Sequence, residues 1–150
     1  MARIEVATHI EVPPQRVWDV LVDWERQAEW MVDASRVEVR SDHREGVGVV
    51  LRCRTKIVGV AIDDDLAVTD WSPPSSLGVT HQGPVIRGVA AFELTPTEHG
   101  THLLWWEEVQ APLGGAGEMA ATVAVVPWVR RVFRRSLATL KRRCEAPASG

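Results

Sequence analysis

His81, Asp64 and Glu107 are the residues of this 150-residue chain whose types could perform acid–base chemistry together. An imidazole titrates near neutral pH, and a carboxylate beside it fixes its tautomer and tunes its pKa. Such a pair could move protons in an aldol-type cyclisation followed by dehydration. That work needs contact at ~3 Å, and nothing in the sequence brings the pair that close, so the favoured reading of His81 is a solvated, unpartnered imidazole near a sheet end. Glu107 follows Trp105 by two residues. Between Trp105 and a covering helix its carboxylate would be partly buried, which costs free energy unless it is paired or bonded to a ligand. Its alternative is a strand-end residue in water. Arg130 could pair with Glu107 or take a ligand carboxylate bidentately, or it could lie along the surface.

Other chemistries find less support. Asp63, Asp64 and Asp65 are consecutive, so on a strand they point to opposite faces and at most two converge. His99 and His102 flank a hairpin without a carboxylate or Cys at ligand spacing, so no metal is expected. No Ser/His/Asp motif, P-loop or GxGxxG occurs, and no cofactor is expected. Cys53 and Cys144 lack a CxxC context and read as two free, buried thiols in a reducing cytoplasm. A net charge of −3 gives no case for nucleic acid. There is no run of ~18 apolar residues and no charged-then-apolar leader, so the expectation is a cytoplasmic protein without a membrane span. Seven Trp against two Phe and no Tyr imply that several indoles line or plug something.

These residues must be held by elements, and periodicity supplies them. Alternation of apolar and polar residues predicts strands near 3–12, 36–39, 47–56, 60–71, 77–82, 86–95 and 101–111. Pro13-Pro14 ends the first strand and opens a short helix carrying Val17, Trp18, Leu21 and Val22. Asp23 is placed to cap a second, from Trp24 to about Met31. Residues 117–145 form a long helix, with Met119, Val123, Val126, Val129, Phe133, Leu137, Leu140 and Cys144 on one stripe. Pro127 should kink it. Gly114-Gly115-Ala116-Gly117 is a hinge before it, and 146–150 a frayed tail. The order of elements predicts a single α+β domain over 1–145, a curled antiparallel sheet gripping the long helix.

The segments IEVPPQRVWDVLVDWERQAEW (10–30), EGVGVVLR (45–52), VTDWSPPSSL (68–77), FELTPTEHGTHLLW (92–105) and LATLKRRCE (137–145) resemble, in order, those of the START-like or SRPBCC superfamily, in its polyketide cyclase/dehydrase-type branch. The resemblance implies a helix-grip fold, seven strands around a C-terminal helix with a hydrophobic pocket between them. Strand parity then assigns Leu51, Cys53, Leu66, Val68, Val79, Phe92, Leu103 and Trp105 to the pocket, with Asp64, His81, Glu107 and, with less force, Asp70. Trp24, Trp30 and Trp105 could stack a planar ligand, and so could Trp18, which reads rather as plain core between helix and sheet. Met119, Val123, Val126 and Arg130 would roof it, gated by the glycine hinge and the loop at Gly83-Pro84. A bulge would reverse any of these assignments. The leading reading is a binder of a hydrophobic or aromatic small molecule, acting as monomer or homodimer. The rival is a cyclase/dehydratase using pocket His and carboxylate groups. A third is a protein-interaction module through an outer sheet face exposing Leu104 and Trp106. A dry pocket without two polar groups in reach favours binding; His81 or Glu107 hydrogen-bonded inside it favours catalysis.

Overall fold

Cross-strand charge pairs match the register that the buried apolar faces of the alternating segments impose. Arg52 meets Asp65 at 2.9 Å, Arg54 meets Asp63 at 3.0 Å and Arg3 meets Glu108 at 2.7 Å, all on the outer face of the sheet. The molecule is seen in a computed structural model describing residues 2–57, 59–84, 86–110 and 116–147, with the backbone alone at 2, 57 and 116–124. The strands are β1 (Ala2–Ile10), β2 (Ala34–Val39), β3 (Val50–Ile57), β4 (Val60–Ser72), β5 (Ser76–Gln82), β6 (Arg87–Thr97) and β7 (Gly100–Gln110). They form one antiparallel sheet in the order β1-β7-β6-β5-β4-β3-β2. Helix α1 (Pro14–Leu21), a 3₁₀ turn (Trp24–Arg26) and α2 (Gln27–Trp30) carry the chain from one edge strand to the other. The long helix α3 (Ala116–Glu145) packs on the inner face, against β1. This is the α+β helix-grip fold.

Two local expectations give way. The second short helix is split, and Asp23 makes no side-chain cap. The Gln27 amide instead donates to the Leu21 carbonyl at 2.7 Å, tying the turn to α1. The register of β4 on β5 slips between Val68 and Asp70, a β-bulge that sends Asp70 to the outer face. There it accepts hydrogen bonds from Ser72 and Ser76. Pro127 lies within α3, which runs continuously past it.

The inner face is divided along the strands. At the end nearest α1 and α2, Trp105 stacks between Phe92 and Phe133, with centroids 5.1 and 3.9 Å away. Trp30 stands edge-on to Phe92 and Trp105, and Trp71 contacts Trp18 and Trp24. Five of the seven indoles therefore fill this end with packed core. On the outer face, Trp106 and Leu104 are half-buried. The Trp106 indole donates to Glu93 at 2.8 Å, and the Arg3 guanidinium lies 4.6 Å above its ring, so this spot is a polar lattice rather than an apolar patch.

Candidate functional site

At the opposite end of the inner face the sheet changes character. Register places Cys53 across from Asp64, Leu66 across from His81, and Ala90 across from Glu107. Between β5 and β7, strand β6 contributes only Gly88 and Ala90 at this level. Their small size lets His81 and Glu107 approach over the intervening strand. The His81 Nδ1–H donates to Asp64 Oδ2 at 2.5 Å, while Nε2 lies 3.7 Å from Glu107 Oε1. The second distance suits an ion pair and exceeds a hydrogen bond. The side chains are 7%, 4% and 17% exposed for His81, Asp64 and Glu107. A solvated, unpartnered His81 is therefore not what the fold produces. Gly83 makes room for the buried carboxylate, since a Cβ there would sit 2.8 Å from Asp64 Oδ1. That oxygen and His81 Nε2 are both buried without a hydrogen-bond partner among the described residues.

Electrostatics follow from this packing. Burial, the largest single influence on His81, favours the neutral ring. The Asp64 hydrogen bond and the Glu107 carboxylate together outweigh it and raise the pKa to about 9. His81 is thus an imidazolium at neutral pH, a proton donor through Nε2. Burial pushes the Cys53 thiol up to about 11, so it stays a thiol. Asp33, absent from the sequence-derived site, joins the cluster. Burial raises its carboxyl to about 6, with Glu107 adding like-charge repulsion. Asp33 precedes β2, five strands away from β7 in the sheet order, and only the curl brings the two within electrostatic reach. A turn residue has no periodicity to betray its facing, which is why it was missed.

The remaining predicted residues separate into two groups. Leu51, Val68, Phe92, Leu103, Trp105 and Trp30 are buried in core packing, and the Trp30 Nε1 has no partner among the described residues. Leu66, Val79 and Val126 are only half-buried although they pack on that core, as residues bordering a ligand space would be. Arg130 is half-buried with no carboxylate within ion-pair reach among the described residues, so it is not paired with Glu107. The side chains of Met119 and Val123, residues 114 and 115 of the glycine hinge, and Val85 beyond Gly83-Pro84 lie outside the described residues. Asp63 and Asp65 face outward in their arginine pairs, leaving Asp64 alone on the inner face. Among the described residues no group of three His, Cys, Asp or Glu could hold a metal ion.

The chain matches the family profile described as polyketide cyclase/dehydrase and lipid transport over residues 1–145. An uncharacterized protein of Mycobacterium tuberculosis is 28% identical over 131 residues, covering 80% of this chain and 88% of that one. A Thermus thermophilus crystal structure superposes with a TM-score of 0.85 at 17% identity, covering 99% of this chain and 100% of the other. The Zhui aromatase/cyclase of a Streptomyces species superposes at 0.81 with 17% identity, covering 96% and 93%. At these identities the structures speak for the fold. The profile match speaks for the family: this chain belongs to the polyketide cyclase/dehydrase and lipid transport family.

Proposed function

We propose that this member of the family binds a hydrophobic or aromatic small molecule of polyketide, lipid or quinone type between the inner sheet face and α3, and that His81 and Glu107 act on it as an acid–base pair. The observation that carries the catalytic part is His81 itself: buried, oriented through Nδ1 by Asp64, and turning Nε2 towards Glu107. Polar groups in mutual reach on a buried sheet face favour catalysis over passive binding.

With a pKa of about 9, His81 is the acid. Its Nε2–H donates to a substrate carbonyl oxygen while the Glu107 carboxylate takes the proton from the adjacent carbon, giving an enol. When the enol carbon attacks a second carbonyl, the enol proton returns to His81 and the Glu107 proton passes to the new alkoxide. One carbon–carbon bond forms and both residues regain their starting states. Asp64 holds the ring throughout and exchanges no proton.

The test is hydrogen–deuterium exchange at the methyl group of 2-acetylnaphthalene, followed by NMR. The wild type should accelerate it, and His81→Gln and Glu107→Gln should each remove roughly a hundredfold of that acceleration. A wild type that binds the ketone without exchanging it would leave binding alone. Native mass spectrometry of protein purified from its source would name the chemical class of the ligand.

A further inference from the structure

We infer that the outer face of α3 is a docking surface for an anionic phospholipid bilayer. At ~100° per residue, Trp128, Arg131, Arg135 and Arg142 fall within an arc of about 60° and run ~21 Å along the axis. Arg134 borders them. All five are exposed, Trp128 by 38%. The helix holds seven basic residues against two acidic ones, in a chain whose net charge is −3.

The arginines of the sheet and of the loop between β2 and β3 are used differently. Arg3, Arg44, Arg52 and Arg54 each hold a carboxylate within 2.6–3.0 Å. On the α3 face none of the four arginines has a carboxylate within ion-pair reach among the described residues, and Arg131 and Arg135 stand four apart with like charge. The one acidic residue of this helix half, Glu145, is engaged by Lys141. A concentrated, uncompensated cationic stripe is complementary to a surface of dense negative charge. Charge alone would suit an acidic protein equally. The indole at the end of the stripe decides for lipid, because Trp partitions to the boundary where one part of the ring is wet and the other meets acyl chains. The apolar stripe of α3 (Phe133, Leu137, Leu140, Cys144) is taken up by the core, so the face it turns outward would hold a bilayer by charge, with one indole as its apolar anchor. This inference rests on the surface and stands whether or not the inner site is catalytic.

The test is co-sedimentation of the full chain with phosphatidylcholine vesicles, with and without phosphatidylglycerol. Binding should require phosphatidylglycerol and weaken as salt is raised. Arg131→Glu with Arg135→Glu should lower the partition coefficient at least about tenfold, from roughly fivefold per arginine removed. Trp128→Ala should lower it severalfold, and Arg142→Gln, a milder change, in proportion. Circular dichroism matching the parent would place each loss at the surface. No binding to phosphatidylglycerol vesicles at low salt, or equal binding to both compositions, would overturn the proposal. So would binding to immobilised polyglutamate as strong as to vesicles and indifferent to Trp128→Ala, which would reassign the face to an acidic protein.

Discussion

At the scale of single residues, the cluster at the inner face makes stability depend on pH in two opposite senses of cost. The folded pKa of His81, about 9, lies above its ordinary 6.5. Its contribution is therefore fully present below pH 6.5 and lost as pH rises through 9, on the order of 2–3 kcal/mol for this buried group. Urea denaturation should show that decline in the parent and a flatter profile in His81→Gln. Asp33 sits at about 6 instead of 3.8, so the folded state resists its ionisation. Replacing it by Asn should stabilise the protein at pH 8 by roughly 2 kcal/mol and change little below pH ~4. On the proposed function, in which this carboxyl serves the site, the same variant should also bind or turn over ligand less well. Of this cluster the sequence made His81, Asp64, Glu107 and Cys53 legible, since parity on a strand is a local property. Their distances were not legible. Those depend on β6 having glycine and alanine where β5 and β7 carry His81 and Glu107, and on a curl that no single strand encodes.

Among elements, β6 and β7 determine whether the site exists. Gly88 has φ +143°, and a Cβ on it would lie 2.0 Å from the Glu108 carbonyl oxygen of the neighbouring strand. The obstacle is backbone, which cannot rotate aside as a side chain would. Gly88→Ala should therefore cost about 3 kcal/mol or more in chemical denaturation and loosen β6 from β7. A loss below ~1 kcal/mol would mean that the two strands can part without consequence. A glycine within a strand is a signal of close backbone approach. It was readable here, yet the alternation around it only announced a strand. The bulge after Val68 shows the complementary limit. Parity carried forward from Leu66 is correct to Val68, then fails at Asp70, because one extra residue inverts every later side chain and leaves no mark in hydropathy.

For the whole molecule, the seven alternating runs and the amphipathic final helix made the helix-grip architecture readable, because each element must bury one face and few arrangements cover them all. What the pattern could not reveal is that the inner face does two jobs at its two ends. Trp105, Phe92, Phe133 and Trp30 close one end as core, while Asp33, Asp64, His81 and Glu107 gather at the other. If the ends are physically separate, they should respond separately. Phe133→Ala removes a ring stacked 3.9 Å from Trp105 and should cost ~3–5 kcal/mol of stability. The His81 titration, followed by NMR, should keep its midpoint near 9 in that variant. Asp64→Asn should do the converse, drawing the midpoint down by removing the charge that His81 pairs with while the aromatic stack stays in place. A Phe133→Ala protein in which the His81 midpoint also fell would show the aromatic end to be holding the polar end in place, and the inner face would then be one cooperative unit rather than a core beside a site.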